Sequence, residues 1–250
     1  MKKKLYVASL YKRILFTNFK HFSITSSANV LDVGCGNGDV VNQLLIDGFN
    51  AFGIDVNIKD GVNRTKLESN GRLKHIDIGS QTRETLKENN MYTWPNFEIK
   101  FDVIISKAVL EHVRNLEEFV AASKKALSPK DGVCIHYYPS KYSLIEPHTG
   151  VPLGGIFQNR TWYAIMYRLG FYSRVRKTTN EALEYMKIFT FFRSQKEIDN
   201  EFKKQGFQKL KCIQVLSCHP NKILRLIGLI PFANNLFGIF RSRVVAYKKS

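Results

Sequence analysis

Cysteine is scarce and unpaired in this sequence. The 250 residues include four cysteines, and no two of them form a C-x-x-C pair. This spacing excludes a disulfide framework and argues against a structural zinc site. We therefore expect reduced thiols, a cytoplasmic setting and no bound metal. The cysteines are Cys35, Cys134, Cys212 and Cys218.

Long apolar runs are missing as well. No run reaches the roughly 20 apolar residues that spanning a bilayer requires. The first residues, MKKKLYVASLYKRILF, begin like a secretion signal, but Lys12 and Arg13 interrupt the apolar stretch and no small-residue cleavage site follows. The sequence instead predicts a basic amphipathic helix within an N-terminal helical segment, residues 1–28.

Acidic residues are few, and the C-terminal part of the chain has none. The chain holds 21 Asp and Glu against 38 Lys and Arg, a formal net charge of +17. From Phe202 to the end there are ten Lys or Arg and no acid. This positive charge favours an anionic partner, such as nucleic acid, an acidic membrane surface or a phosphorylated substrate. A basic face without a partner is the alternative.

Short apolar runs alternate with helical patterns from residue 29 to residue 140. This alternation predicts a parallel sheet with helices on both faces, and the apolar, β-branched strands suit burial on both sides. Helices are predicted at about 39–48, 58–70, 81–90 and 114–127. The predicted strands are Asn29–Cys35, Asn50–Val56, Arg72–Ile78, Phe101–Ser106 and Gly132–Tyr138.

Residues 141–194 break the alternation and are rich in Tyr, Arg, Pro and Gly. We predict that they form a substrate-side insertion after the fifth strand. Order returns in residues 195–250 with a helix whose Ser194 and Glu197 have the spacing of a capping box. Two further strands are predicted at Phe207–Leu216 and Arg243–Tyr247.

The most informative segment is VLDVGCGNGD, residues 30–39. An apolar strand runs into three glycines at alternate positions, Gly34, Gly36 and Gly38, and a helix is predicted just after them. Glycine allows the backbone to approach a ligand closely, and the helix N-terminus offers free N–H groups. The nicotinamide fingerprint G-x-G-x-x-G would need glycine at position 39, where this chain has aspartate.

Three acids accompany the glycine loop. Asp32 lies two residues before the first glycine, where a carboxylate would repel a pyrophosphate and hold a cation such as the ammonium of an amino acid. Asp55 ends the second predicted strand, where it can accept both hydroxyls of a ribose. Asp77 ends the third, within reach of an adenine amino group. A ligand with an amino acid, a ribose and an adenine, but no phosphate, is S-adenosylmethionine. The alternative is that Asp32 and Asp77 only cap turns.

With these motifs the sequence resembles the class I S-adenosylmethionine-dependent methyltransferases. The matching segments are, in order, VLDVGCGNGD, FGIDV, HIDIGS, FDVIISKAVLEHV and DGVCIHYYPS. The resemblance implies an α/β, Rossmann-like fold with a seven-stranded, mostly parallel sheet and helices on both faces. It also implies that residues 29–140 are the core that binds S-adenosylmethionine.

The resemblance further implies roles for single residues. The glycine loop and Asp32 would hold the methionine end of the cofactor, Asp55 the ribose, and Asp77 with Ile78 the adenine. Residues 106–108 would line the methyl-bearing side. The residues implied in cofactor binding are Asp32, Gly34, Cys35, Gly36, Asn37, Gly38, Asp55, Val56, Asp77, Ile78, Ser106, Lys107 and Ala108.

Histidine is the candidate base for the reaction. Methyl transfer is an in-line displacement that the protein promotes mainly by alignment, but an oxygen nucleophile also needs a base near neutral pH. His112 follows the fourth strand, beside the expected methyl position, and packing is its alternative role. Glu146 and His148 lie in the loop SLIEPHTGVPL, which is similar to a loop of methyltransferases linked to surface polysaccharides and lipid-linked sugars. A turn-forming role is the alternative for this loop.

The segment Leu226–Phe240 has no charge, and cations flank it at Lys222, Arg225, Arg241 and Arg243. Glycine and proline interrupt the segment and exclude a straight spanning helix. The pattern predicts an interfacial element on an anionic bilayer. A helical hairpin packed on the sheet, or a dimer contact, is the alternative.

These observations favour an enzyme that methylates a hydroxyl of a small molecule, a glycan or a lipid-linked acceptor, in the cytoplasm or at a membrane surface. A nucleic-acid methyltransferase is the nearest rival. It is disfavoured because enzymes that methylate base amino groups usually show N/D-P-P-Y after the fourth strand, where this chain has SKAV. A non-catalytic, methyltransferase-like scaffold is the third hypothesis.

Overall fold

Seven strands form one sheet in the computed structural model, which describes residues 2–76, 94–173, 175–230 and 232–250, with side chains from Leu10 onward. Short, apolar, β-branched runs make these strands, as in β1 with the sequence NVLDV. The strands are β1 (Asn29–Val33), β2 (Asn50–Asp55), β3 (Leu73–His75), β4 (Val103–Lys107), β5 (Val133–Pro139), β6 (Phe207–Leu210) and β7 (Ser242–Lys249).

The spatial order of the strands is β3-β2-β1-β4-β5-β7-β6. Strands β1 to β5 are parallel, whereas β7 is antiparallel to both of its neighbours. The predicted seven-stranded, mostly parallel sheet is therefore confirmed. The chain order reverses between β1 and β4, which makes their carboxyl ends the topological switch point where open α/β sheets bind ligands.

Helices cover both faces of the sheet, as predicted. On one face, α1 and α2 bury Ile14 and Leu44 against strand residues such as Val30. On the other face, α4 and α7 bury Val120 and Phe202. The helices are α1 (Lys2–His21), α2 (Asp39–Ile46), α3 (Arg64–Ser69), α4 (Leu116–Ala126), α5 (Arg160–Arg168), α6 (Thr179–Phe189), α7 (Gln195–Lys204), α8 (Lys222–Ile227) and α9 (Ala233–Phe240).

The predicted strand Phe207–Leu216 is wrong beyond Leu210, where β6 ends. After Leu210, side chains rather than a neighbouring strand form hydrogen bonds with backbone groups. The Asn18 side chain on α1 accepts a hydrogen bond from the Ile213 N–H (2.8 Å), and the Gln214 amide donates to the Val244 carbonyl (2.9 Å). These bonds pull the chain from the edge of the sheet into a short 3-10 turn at Leu216–Cys218.

The predicted helix at 58–70 is shorter than expected, because α3 starts only at Arg64. The preceding residues are held in a loop against the glycine segment, where the Lys59 N–H donates to the Gly36 carbonyl (3.0 Å). The predicted helix at 81–90, together with the last two residues of the predicted strand Arg72–Ile78, lies outside the described residues.

Residues 141–194 contain two helices that the sequence did not reveal. Helices α5 and α6 enclose a small core of their own, in which Tyr163 and Met186 are fully buried. A capping box of Thr178 and Glu181 starts α6. The capping box predicted at Ser194 and Glu197 starts α7.

The apolar segment near the C-terminus forms α8 and α9, which leave much of their apolar surface exposed. Helix α8 buries no residue, whereas α9 buries Ala233 and Gly238. Leu226 and Leu229 are 63% and 74% exposed. In the part of the chain that the structure describes, no helix is both long enough and apolar enough to cross a membrane.

Candidate active site

The glycine loop turns sharply at the end of β1. Gly34, Gly36 and Gly38 have φ angles of 74°, 59° and 78°, a left-handed region that favours glycine. A Cβ atom on Gly34 would lie 2.3 Å from Cγ2 of Val109, which belongs to the loop after β4. The close packing of that loop is therefore a second reason for glycine at position 34. The backbone geometry of this loop therefore follows from its three glycines.

Asp55 connects the tip of β2 to the glycine loop. Its carboxylate accepts hydrogen bonds from the N–H of Gly36 (2.8 Å) and from the N–H of Asn57 (3.0 Å). A carboxylate oxygen can accept more than one hydrogen bond, so this side chain keeps acceptor capacity for a ligand. Asp55 is therefore held at the switch point, and its carboxylate can still accept hydrogen bonds from a ligand.

Asp32 lies beneath the loop and is 3% exposed. The pKa of its carboxyl is raised to about 8, mainly by burial and also by nearby Asp55, while Lys107 opposes both effects. The Lys107 ammonium also lies 5.2 Å from the ring centre of Tyr11, a buried residue of α1. No local sequence pattern marks Tyr11, because α1 reaches this place only through the tertiary fold.

A cavity of about 1170 Å³ opens at the carboxyl ends of β1, β2 and β4. It has the size and position expected of a ligand site in this class of sheet. The predicted cofactor residues that line it are Gly34, Gly36, Asp55, Val56, Lys107 and Ala108.

Other predicted cofactor residues support the cavity from behind. The Ser106 hydroxyl is buried and hydrogen-bonded to Nδ1 of His136 (2.8 Å), so β4 presents the next two residues instead. The Asn37 amide donates to the Asp39 carboxylate (2.8 Å). The residues outside the lining are Asp32, Cys35, Asn37, Gly38 and Ser106. Asp77 and Ile78 lie outside the described residues.

His112 and His148 line the same cavity and face each other. Their Nε2 atoms are 3.2 Å apart. Nδ1 of His112 lies 2.5 Å from the carbonyl oxygen of Phe189, and Nδ1 of His148 lies 2.5 Å from a carboxylate oxygen of Glu146. Because both Nδ1 atoms contact acceptors, both Nε2 atoms are directed to one point at the wall of the cavity.

Glu146 lies behind His148 and does not line the cavity. It is 1% exposed and accepts hydrogen bonds from the hydroxyl (2.7 Å) and N–H (2.6 Å) of Thr149. Burial raises the pKa of Glu146, but the hydrogen bonds from His148 and Thr149 outweigh it and leave the pKa below its usual value. Burial lowers the pKa of His112, although the Phe189 carbonyl opposes this shift. The structure therefore brings together all three predicted catalytic residues, with Glu146 as the support of His148.

Glu111 is a residue of this cluster that the sequence analysis missed. It is 2% exposed, and neither carboxylate oxygen has a hydrogen-bond partner among the described residues. Burial raises its pKa to about 8. One of its oxygens lies 4.0 Å from Nε2 of His112. The available signal was an acid directly before His112 in the turn VLEHV.

Aromatic side chains form a wall of the cavity beside the two histidines, and the insertion supplies three of them. Tyr185 of α6 stacks under the Arg176 guanidinium, 3.4 Å from the ring centre, and the same guanidinium donates to the His148 carbonyl (2.8 Å). These contacts hold the loop of His148 against α6. The aromatic residues that line the cavity are Trp94, Phe119, Tyr185, Phe189 and Phe191.

The sequence profile of the methyltransferase domain family matches residues 5–211. The chain belongs to this family. Together with the sheet order and the glycine loop, this match identifies the chain as a class I S-adenosylmethionine-dependent methyltransferase. The class of enzyme and the cofactor predicted from the sequence are therefore confirmed.

Individual relatives match the chain less completely. The ubiquinone biosynthesis O-methyltransferase of Rickettsia bellii is 33% identical over 115 residues, 46% of this chain and 43% of the relative. The chain thus matches less than half the length of this curated relative. An S-adenosylmethionine-dependent methyltransferase from Clostridium acetobutylicum has a TM-score of 0.53 at 14% identity, over 96% of this chain and 92% of the other. PKMT2 from Rickettsia typhi in complex with S-adenosylhomocysteine has a TM-score of 0.52 at 14% identity, over 96% and 52%. These two structures share the fold.

Proposed function

We propose that this methyltransferase transfers the methyl group of S-adenosylmethionine to a hydroxyl group of a small molecule. One observation carries the proposal: Gly34, Gly36 and Asp55 line the same cavity as His112 and His148. The cofactor and the acceptor hydroxyl, which has to lose its proton, can therefore bind next to each other in this cavity. The O-methyltransferase activity named for the Rickettsia bellii relative supports oxygen as the acceptor atom.

In this proposal the cofactor lies across the switch point. The buried Asp32 lies behind the glycine loop and supplies negative charge near the ammonium group, and Asp55 accepts from the ribose hydroxyls. The sulfonium then lies near Ala108, whose φ of +54° turns the backbone at the end of β4. Asp77 and Ile78 remain predicted contacts of the adenine.

The acceptor enters from the histidine side. Its oxygen attacks the methyl carbon in line with the C–S bond, a C–O bond forms, and the C–S electron pair remains on the sulfur as a thioether. The hydroxyl proton is lost at the His112–His148 pair, and Glu146 holds His148 in place for this step. The aromatic wall suits an acceptor with an apolar or ring-shaped body.

The proposal is tested by incubating the full chain with S-adenosylmethionine that carries a deuterated methyl group and with separate acceptor pools. The pools are phenols and small alcohols, free glycans, lipid-linked glycans and RNA. Mass spectrometry that finds the label on an oxygen of a small molecule or glycan supports the proposal. Label on a nucleic-acid base would support the rival enzyme. Cofactor binding without transfer to any pool would support a scaffold.

We also propose that α8 and α9 contact an anionic membrane near a lipid-linked acceptor. Phe232 and Ile223 are 64% and 67% exposed, and cations flank the segment on both sides. The Phe240 carbonyl accepts from the N–H of Leu144 (2.9 Å), which connects the end of α9 to the loop of Glu146 and His148. The exposed apolar surface therefore adjoins the acceptor side.

Vesicle flotation tests this membrane contact. Vesicles with anionic lipid should carry the chain with them, and vesicles of neutral lipid should carry less, because basic residues contribute roughly 1 kcal/mol each near an acidic surface. Leu226→Asp should reduce flotation, and Val62→Asp is the matched control because Val62 is 99% exposed outside this segment. Equal flotation of Leu226→Asp and the unchanged chain would remove the proposal.

A further inference from the structure

We propose that Glu111, His112 and His148 form a binding site for one divalent transition-metal ion of the zinc type. The geometry of this site stands alone, whereas its role in the reaction rests on the proposed function. The ligand atoms of the three side chains all lie within 4.8 Å of one another, at the wall of the cofactor cavity. The proposal differs from the sequence-based expectation that the protein binds no metal, which stays a prediction that the metal titration described below also tests.

The two ring nitrogens already have a suitable separation. Zinc binds imidazole nitrogen at 2.0–2.1 Å and prefers a tetrahedron, in which two ligands are about 3.4 Å apart. The Nε2 atoms of His112 and His148 are 3.2 Å apart. The nearer oxygen of Glu111 is 4.0 Å from Nε2 of His112, so a modest side-chain rotation completes the set.

The other nitrogen of each ring has the partner that a metal-binding histidine needs. Histidine ligands almost always donate their second N–H to a carboxylate or a carbonyl, which fixes the tautomer and the orientation of the ring. His148 has Glu146 in this position and His112 has the carbonyl of Phe189. When both Nδ1 atoms donate, both Nε2 lone pairs face each other, and only a cation between them removes the repulsion.

Glu111 distinguishes a metal ion from a shared proton. A single proton between the two rings would satisfy the nitrogens but would leave both Glu111 oxygens without a hydrogen bond among the described residues, because the nearer oxygen is 4.0 Å from Nε2 of His112. A buried acid without a hydrogen-bond partner is costly even when it is protonated. A divalent cation bound by all three side chains satisfies the carboxylate and both nitrogens at once.

The donor set also indicates which ion would bind and what it would do. Imidazole nitrogens with one carboxylate suit zinc, cobalt or nickel rather than magnesium or calcium. Three protein ligands leave a fourth position, which faces the cavity because the side chains of His112 and His148 are 33% and 16% exposed. An ion held there would lower the pKa of an acceptor hydroxyl. Both Nε2 atoms would then be ligands rather than bases, so the hydroxyl proton would go to solvent through the cavity instead of to the histidine pair.

The test is metal titration of the full chain after treatment with a chelator. Calorimetry with Zn²⁺ should give one ion per chain, and Co²⁺ should give the visible absorption of a four-coordinate site with mixed nitrogen and oxygen ligands. Glu111→Gln and His148→Gln should each abolish stoichiometric binding and the cobalt spectrum. Glu146→Gln should weaken binding about 10- to 100-fold, because it changes only the partner of a ligand.

The matched control is His21→Gln, since His21 is an exposed histidine of α1 that contacts the Lys211 carbonyl. It should bind the ion as the unchanged chain does. Each variant should keep its affinity for S-adenosylhomocysteine, which reports an intact fold. Binding well below one ion per chain, or equal binding in Glu111→Gln and the unchanged chain, would overturn the proposal.

The outcomes also separate this inference from the proposed function. Full methyl transfer to a hydroxyl by chelated, metal-free protein would leave the proposed function standing and refute the metal site's role. One zinc per chain, with the label transferred only to nucleic-acid bases, would keep the metal site and refute the proposed acceptor.

Discussion

The two ends of the cavity are built in different ways. The cofactor end consists of strand tips and a glycine loop, and its geometry depends on backbone conformation at Gly34 and Gly36 and on one carboxylate, Asp55. The acceptor end consists of side chains from a turn after β4, a loop after β5 and helix α6. A site built from backbone conformation needs particular residues at fixed spacing in the sequence. A site built from side chains needs only that the fold bring those side chains together.

This difference predicts that substitutions act separately. Changes at the cofactor end should alter the affinity for S-adenosylhomocysteine, while changes at the acceptor end should alter turnover and leave that affinity intact. A substitution that moves both quantities would show that the two ends are coupled.

Replacing a histidine at the acceptor end should have the largest effect. We expect His112→Ala to lower kcat by about 100- to 10,000-fold, because the acceptor hydroxyl loses the group that promotes removal of its proton. The dissociation constant of S-adenosylhomocysteine, measured by calorimetry, should stay unchanged. His21→Ala, which alters an exposed histidine of α1, should change neither quantity. Unchanged kcat in His112→Ala would leave this histidine with a packing role.

At the cofactor end, Gly34→Ala should weaken cofactor binding about 30-fold or more. The new Cβ would lie 2.3 Å from Cγ2 of Val109, and the left-handed backbone adds roughly 1–2 kcal/mol. Gly71→Ala is the matched control: Gly71 also has a positive φ (65°), but its Cβ would have nothing within 4 Å. It should lower thermal stability slightly and leave cofactor affinity as it was. Equal cofactor affinities for the two variants would contradict this account of the loop.

Asp55→Ala should weaken binding of S-adenosylhomocysteine about 10- to 100-fold. The ribose would lose a charged hydrogen-bond acceptor, and the N–H groups of Gly36 and Asn57 would lose theirs. Asp102→Ala is the control, since the Asp102 carboxylate likewise accepts a backbone N–H, that of Asn29 (2.8 Å), at the start of β1. Titration calorimetry should find its cofactor affinity normal. An Asp55→Ala variant with normal affinity would refute the ribose assignment.

The pH dependence of cofactor binding should have the smallest effect for a single step, up to about tenfold for one pH unit, and the clearest sign. Burial raises the pKa of Asp32 to about 8, so the carboxyl is largely protonated in the free protein at neutral pH. The ammonium of the cofactor needs the ionised form, and binding therefore releases a proton. Affinity should rise by up to about tenfold per pH unit from pH 6 and level off near pH 8.

Calorimetry in buffers of different ionisation enthalpy measures the released proton directly. Asp32→Asn should bind more weakly and lose this pH dependence. An affinity that falls as the pH rises from 6 to 8, or a slope that persists in Asp32→Asn, would assign the ammonium contact to another group.

Most of the sheet and the glycine loop could be predicted from the sequence. The strands β1, β2, β4 and β5 follow from apolar, β-branched runs, and the positions of Gly34, Gly36 and Asp55 follow from the requirements of a tight turn and a strand tip. These features depend on residues within a few positions of one another. Local chemistry therefore predicts them.

The rest depended on contacts between distant parts of the chain. Asn18 ends β6 through a bond to Ile213, and no local pattern near residue 211 shows it. Helices α5 and α6 are short and stable only around their shared core. Glu111 was overlooked because its importance comes from its burial beside His112 and His148, which the sequence does not display.

A crystal structure of the chain in complex with S-adenosylhomocysteine tests the central claim most directly. We expect the ribose hydroxyls on Asp55, the ammonium near Asp32, and the sulfur directed through the cavity toward His112 and His148. A cofactor bound elsewhere, or one whose sulfur points away from the two histidines, would contradict the claim that both ends of this cavity serve one methyl transfer.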